Sequence, residues 1–414
     1  MTMRKRKLGA LVAPLLALAL FASACGDDAE DSTPAATTAA GGAATTAAGG
    51  TATTLAAGTV ATTPGCEKAG YTDPANLAAS RKVARCDPNT PAPKPLPTKE
   101  KVVVASAFKL EFNSPLGLAI SLGEFTKENL EVEIQNLNFA NSVPQLATGQ
   151  IDVAVGGFET ALFGAGNNNL PVRVVLGNYY PPKASDYTVA QTGLWCRREI
   201  FTTPQAPKLK ELETKKWATS VGRGSSAMYY SVAEILKREP SFDYKKVEVQ
   251  AIPSNDILNA VRSKNIDCGI LLDPIWVQVK DDPTMVQVAT QTPGEPLGIY
   301  AFGKRMLQDR KDVGEAFVRA FIRTINTYYA GDYHKDAKVM AEIQKFTGQT
   351  DAVFQPLAAL DSLTMDWEIR KDTTTRIQQL FLDVGVDLGF KTVVPEDKLI
   401  DRSFYEKVVG AVKK

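Results

Sequence analysis

At 414 residues the chain is long enough for two well-filled hydrophobic cores. Apolar side chains make up 44% and charged ones 22%, ordinary for a soluble globular protein. The net charge of +1 falls by four, to −3, without residues 1–24, which hold four basic and no acidic side chains, so nothing points to nucleic-acid binding. Those residues read as a signal peptide. Arg4, Lys5, Arg6 and Lys7 form the basic start, Leu8 to Phe21 is an apolar run of 14 residues, and Ala22-Ser23-Ala24 precedes Cys25 as a small-residue cleavage site. A run of that length is short for a membrane span.

The cysteine at the cleavage point resembles a bacterial lipoprotein lipobox, with Ala22 where leucine is usual. The resemblance implies a diacylglycerol on Cys25, export, and lipid anchoring at the outer face of the bacterial cytoplasmic membrane. A plain secretory signal with an incidental cysteine is the other reading. Residues 25–64 are almost wholly Ala, Thr, Gly and Ser after a few acids, a composition that forms a tether rather than a core. Residues 65–100 carry Cys66 and Cys86 around a short loop and then the proline-rich PNTPAPKPLP. In an oxidising compartment those two cysteines are expected to pair and close a small cap. Cys196 and Cys268 remain as a second disulfide or as two buried thiols, with parity favouring the disulfide.

Lys101 to Phe108 reads as a strand, followed by a loop and a helix opening at Ser114-Pro115. Leu130 to Leu137 alternates as a second strand. Asn141 to Gly157 then forms a helix-strand unit: Asn141 or Ser142 as cap, Pro144 in the first turn, Gly149 as left-handed stop, and Ile151 to Val155 as a buried strand. Phe158 to Gly166 reads as a short helix and Val172 to Leu176 as a strand. About 115 residues on, Ser254 to Asp273 repeats the unit, with Asp267 aligned on Asp152 and Asn265 as a possible stop. Between the copies lie the strand Trp217 to Val221, the helix Ala227 to Arg238 and the strand Val247 to Ile252. Two α/β lobes with loops facing a shared cleft follow, each a mostly parallel sheet. Lobe I takes 101–187, lobe II 188–297, and 298–414 returns to lobe I, with crossings near Tyr180 to Tyr187 and Pro296 to Ile299. Helices near Val313 to Phe321, Lys335 to Phe346, Thr373 to Val384 and Ser403 to Val412 are expected to pack on lobe I.

Ligands bind such sheets at the carboxyl ends of strands. That rule points at Phe108, Glu111, Phe112, Asn113 and Ser114, at Gly157, Phe158, Glu159 and Thr160, and at Tyr179 and Tyr180. In lobe II it points at Gly224, Ser225 and Ser226, a glycine turn with two hydroxyls at a helix start, suited to an anion or to plain capping.

SPLGLAISLGEFTKENLEVEIQNL and the later LATGQIDV resemble the nitrate/sulfonate/taurine-type substrate-binding proteins of ABC importers, a family that includes binders of thiamine pyrimidine precursors. The match carries Pro115 to Ala119, Gly123 to Phe125, Asn129 to Glu133 and Leu146 to Val153, and extends from Lys101 to the end by order and spacing. LKELETKKW resembles the family's entry to lobe two, with Glu213-Thr214 where a glycine is usual. The resemblance implies a bilobed periplasmic-binding-protein-like fold of type II and a monomer that hands a small-molecule solute to an ABC permease and ATPase complex. Asp273-Pro274-Ile275-Trp276 stands where members often have Glu-Pro-aromatic, which places Asp273 and Trp276 at the cleft, although an aspartate before proline is also an ordinary turn.

Catalysis is not indicated. The single histidine, His334, reads as an exposed residue beside a helix start, and a His-rich metal site is excluded. No cofactor motif appears. The non-enzymatic receptor reading stands against an exported enzyme using Glu159 and Asp273 as paired carboxylates, and against a sensory lipoprotein. For the ligand, amides at Ser114 and Ser226 suit an anionic end, Glu111, Glu159 and Asp273 suit an amino end, and the aromatic residues suit walls. A taurine-like aminosulfonate comes first, an aminopyrimidine second, and nitrate last because three acids would repel it.

Overall fold

Apolar runs ending in glycine or polar turns become the strands of two sheets, and stripes of period 3.6 become the helices that cover them. The structure, a computed structural model, describes residues 91–180, 191–292, 295–329, 331–355, 369 and 371–409. The first lobe begins with β1 (Glu100–Ala105), α1 (Ser114–Ser121), β2 (Leu130–Gln135), α2 (Phe139–Thr148), β3 (Val153–Gly157), α3 (Thr160–Asn167) and β4 (Arg173–Asn178). The second contains β5 (Gly193–Arg197), β6 (Lys216–Thr219), α4 (Ser226–Arg238), β7 (Glu248–Ala251), α5 (Ser254–Arg262), β8 (Cys268–Leu271) and β9 (Met285–Thr290). The chain returns through β10 (Gly298–Phe302), α6 (Lys311–Tyr328), α7 (Ala337–Thr347), α8 (Asp351–Phe354), α9 (Thr373–Asp383) and α10 (Ser403–Val409).

The strand orders are β2-β1-β3-β10-β4 and β7-β6-β8-β5-β9, the same plan twice. The helix-strand repeat of the sequence supplies the middle strand of each, β3 and β8. In both sheets the middle strand runs parallel to its neighbour β1 or β6. The sheets are mostly parallel, as expected, with one exception in each: β10 and β5 run antiparallel to both of their partners. Each is the first strand after a crossing between the sheets, so it enters from the cleft side and must point the opposite way. The chain passes from one sheet to the other between Asn178 and Gly193 and back between Thr290 and Gly298. Most of the first expected hinge, 181–187, lies outside the described residues, as do Cys25, Cys66, Cys86 and the rest of 1–90.

The aligned aspartates do the same work in both lobes. The Val103 amide donates to Asp152 Oδ2 at 2.9 Å, and the Asp152 amide donates to the Val103 carbonyl at 3.0 Å. The Lys216 amide donates to Asp267 Oδ2 at 2.9 Å, and the Asp267 amide donates to the Lys216 carbonyl at 2.9 Å. Their own carbonyls accept from Gly303 at 2.9 Å and Arg197 at 3.2 Å on the antiparallel neighbour. Asp152 is fully buried, with Arg305 at 3.4 Å and Arg310 at 3.7 Å.

Several local expectations shift. Helix α2 starts a turn earlier than Asn141, because Asn138 accepts the Asn141 amide at 2.9 Å and caps it, leaving Pro144 inside the helix. In the second unit Pro253 is the cap, and Lys264 (φ +66°) rather than Asn265 takes the left-handed position. Cys196 and Cys268, paired across β5 and β8, form a disulfide, which decides between the two readings. His334 is not the exposed residue expected. Its side chain is only 10% exposed, and Nε2 lies 2.6 Å from Oε1 of the buried Glu111. Helix α10 does pack on the first lobe, Phe404 meeting Phe302 at 5.1 Å. Helix α9 instead lies against α4 of the second, Phe381 edge-on to Tyr229 at 6.3 Å. Amphipathic spacing says which face of a helix is buried but not what buries it.

Asp152→Ala removes both the β1 clamp and a buried acceptor, and an expected loss of about 2–4 kcal/mol should show in urea unfolding. Lys99→Ala, which breaks an exposed pair with Glu131, should change stability by about 0.5 kcal/mol or less.

Candidate ligand-binding cleft

Strand ends that carry small residues let the two lobes come together closely, and the cleft forms where they do. At the carboxyl end of β3 a Cβ on Gly157 would lie 2.7 Å from Ser226 Oγ of the other lobe. A Cβ on Gly224 would lie 2.3 Å from Thr160 Cγ2. A side chain at either point would force the facing one to shift, and the approach lets the Thr160 amide donate to the Gly224 carbonyl across the lobes at 3.1 Å. Ser226 Oγ donates to the Leu297 carbonyl at 2.6 Å, fastening the start of α4 to the returning crossing.

Two connected chambers lie between the lobes. The smaller one, about 40 Å³, is bounded by Phe108, Phe112, Gly156, Gly157 and Glu159 from the first lobe, by Leu297 and Gly298 from the crossing, and by Thr219, Ser225, Ser226, Ala227, Ile257, Ile270 and Leu272 from the second. The larger one, about 450 Å³, lies between Ala107 to Leu110, the start of α2 at Asn138 to Asn141, and the stretch Ala251 to Asn255 leading into α5. Phe108, Glu159, Ser220, Val221 and Ser254 belong to both. The larger volume is in the range of small-molecule sites.

Of the residues that the strand-end rule selects, Phe108, Phe112, Gly157, Glu159, Ser225 and Ser226 line the smaller chamber. The others bound neither chamber. Glu111 is buried behind the wall, accepting from Tyr333 at 2.5 Å and facing His334. Asn113 braces the loop, donating to Ser106 Oγ at 3.0 Å and accepting from Tyr300 at 2.6 Å. Ser114 meets Tyr329 at 2.6 Å inside the lobe, so this helix start does not reach the cleft. Phe158 and Tyr180 are core residues, and Thr160 and Gly224 form the contact between lobes.

Asp273 and Trp276 also need correction. Asp273 is a buried tie at the crossing, accepting from Tyr179, from Trp276 Nε1, and from Thr192 at 3.4 Å. Burial pushes its carboxyl up to about 7; the Trp276 N–H opposes that shift and the charge of Glu111 adds to it. Tyr179 (φ +61°) reaches it from the end of β4, and its ring meets Phe112 at 5.3 Å. The pairing spends both oxygens of Asp273. Sequence reasoning missed the β6 end Thr219 to Val221 and the α5 start, although the same strand-end rule, applied to the second copy of the repeat, selects them.

Glu159 differs from these carboxylates. It is 2% exposed, lines both chambers, and among the described residues no lysine or arginine pairs with it. Burial pushes it up to about 7, against the pull of the Gly157 amide.

No protein-family model matches the chain, and no curated protein matches its sequence. Solved structures do match. The alkanesulfonate-binding protein SsuA from Xanthomonas axonopodis pv. citri, bound to MOPS, superposes with a TM-score of 0.52 at 13% identity, over 72% of this chain and 98% of that one. The periplasmic aliphatic sulphonate binding protein SsuA from Escherichia coli gives 0.51 at 16%, over 73% and 92%. This is the periplasmic-binding-protein fold. A ligand-binding component of an ABC-type import system from Staphylococcus aureus, with zinc bound, gives 0.51 at 13%, over 75% and 99%. In a periplasmic-binding-protein fold the closeness of the lobes is the quantity to test.

Gly224→Val should hold the lobes apart and raise the radius of gyration in small-angle scattering, whereas Gly164→Ala, where a Cβ meets nothing within 4 Å, should leave it unchanged. Glu159 supplies a pH test. Its carboxyl binds a proton more tightly folded than unfolded, so its contribution makes stability fall as pH rises from about 4.5 to about 7. Glu159→Gln should therefore match the parent melting temperature in acid, exceed it increasingly across that window, and hold a constant advantage above it.

Proposed function

We propose that the protein is the extracytoplasmic solute-binding component of an ABC importer, taking a small amine-bearing solute between its lobes and presenting it to a permease and ATPase complex. The observation that carries this reading is Glu159, a buried carboxylate without a side-chain cation, set in a cleft between two lobes. A protonated amine satisfies it, and the starts of α4 and α5 at Ser226 and Ser254 offer amides to an anionic end. A taurine-like aminosulfonate combines the two, and the sulfonate-binding names of two similar structures support it. Phe108 and Phe112, rings 5.7 Å apart on one wall, favour an amino-substituted pyrimidine as the second reading. We further place the protein outside the cytoplasmic membrane, held by a lipid on Cys25 and acting as a monomer. Among the described residues no helix is long and apolar enough to cross a membrane.

Calorimetric titration of taurine, alkanesulfonates, nitrate and aminopyrimidines at pH 8 tests the assignment. The expected result is binding of an amine-bearing compound that Glu159→Gln weakens about tenfold or more, as loss of a charge-assisted contact requires. Binding of nitrate alone, indifferent to Glu159→Gln, would overturn it.

A further inference from the structure

We propose that α9 is a latch between the lobes: it belongs to the first lobe, grips the second through Arg376 and Phe381, and sets how often the cleft opens.

Both ends of the helix are tied to the first lobe. Just before it, the Ile369 carbonyl accepts from Arg402 Nε at 3.1 Å. Arg402 follows a stretch paired with β4. There the Val174 amide donates to the Leu399 carbonyl at 2.8 Å, and the Asp401 amide donates to the Val174 carbonyl at 2.9 Å. Beyond the helix, Val394 and Leu399 close on Gly166 of α3, Val394 Cγ1 lying 3.1 Å from where a Cβ would stand. Gln378 fastens the helix to that stretch, donating to the Val394 carbonyl at 3.1 Å and accepting from its amide at 2.9 Å.

The opposite side of α9 meets the second lobe. Phe381 stands edge-on to Tyr229 of α4 at 6.3 Å, and Arg376 pairs with Glu295 at 2.6 Å. Glu295 lies in the returning crossing, and α4 holds the two residues that follow it. Tyr230 donates to the Pro296 carbonyl at 2.7 Å, and Ser226 donates to the Leu297 carbonyl at 2.6 Å. The Arg376–Glu295 pair therefore joins a helix of the first lobe to a segment fixed on the second. Among the described residues these grips are made by side chains, with no backbone bond from α9 to the second lobe, so they part before the ties at its ends. Glu295 is 1% exposed, and Arg376 is its one ion-pair partner among the described residues. Separating a buried carboxylate from its partner is costly, so the pair favours the latched state. Val386, just past the helix, lies beside Gly224, at the point where the Thr160 amide bridges the lobes.

That amide reports opening directly. Thr160 begins α3, so its N–H has no acceptor within the helix, and the Gly224 carbonyl of the other lobe is what shields it. Hydrogen exchange of the full chain, followed by NMR, reads the rate. Arg376→Gln should speed exchange at Thr160 about tenfold or more, the loss of a charge-assisted contact made only in the latched state. Phe381→Ala should speed it as well, and amides inside β3 should keep their rates in both variants. Val339→Ala, which trims the first lobe's core at α7, should lower the melting temperature and leave Thr160 exchange unchanged. An unchanged Thr160 rate in either α9 variant would overturn the latch. So would acceleration by one factor shared with the β3 amides, or acceleration by Val339→Ala, because each marks general loosening rather than parting of the lobes.

Discussion

The cleft depends on how each sheet is pinned at its far end. Asp152 and Asp267 each tie three strands: the side chain and amide hold one parallel neighbour, and the carbonyl holds the antiparallel one. With the entry ends of β3 and β8 locked in register, their exit ends stand at fixed heights beside β1 and β6. Gly157 and Leu272 then reach the gap together with Phe108 and Thr219. A one-residue slip would turn every one of these side chains to the opposite face. The same residue type does this at the same place in both lobes, and the two sheets share one strand order.

Buried charge separates structural carboxylates from an available one. Glu111 has Tyr333 and His334, Asp273 has Tyr179, Thr192 and Trp276, and Glu295 has Arg376 at 2.6 Å. Taking a carboxylate out of water costs several kcal/mol unless such partners are supplied. Asp273 and Glu295 engage residues of the two crossings or lie in them, and Glu111 is tied to the return segment. Glu159 is equally buried without a comparable partner, and it is the one that faces open space. The contrast in partners, more than the burial, sets it apart from the structural carboxylates.

The lobes are coupled by more than two crossing strands. Leu297 donates to the Tyr179 carbonyl at 3.0 Å, so the outgoing and returning crossings are bonded to each other. Helix α9 lies on α4, and its Gln378 is bonded in both directions to the backbone of Val394, which packs towards Gly166 of α3. The return segment therefore touches both lobes. Motion that opens the cleft has to carry α9 with one lobe or part it from the other.

Much of this was legible in the sequence because it is local. The period-2 and period-3.6 runs placed the helix-strand units, Gly149 marked a helix stop, and the spacing of Asp152 and Asp267 exposed the repeat. Strand ends pointed to Phe108, Gly157, Glu159 and Ser226, since parallel strands deliver their carboxyl ends to one side. Other facts are not local. Ser114 opens a helix as its sequence says, yet Tyr329, 215 positions away, buries its hydroxyl. Asp273 follows a strand as a ligand residue would, yet Tyr179 and Trp276 occupy its oxygens. Nothing in the order of residues near His334 shows that a buried Glu111 awaits it. The sequence by itself determined the elements, the repeat and the α/β class, because backbone preference and hydrophobic period act between near neighbours. Only the tertiary structure decided which carboxylate is free, because a partner brought from far along the chain is what satisfies a buried charge.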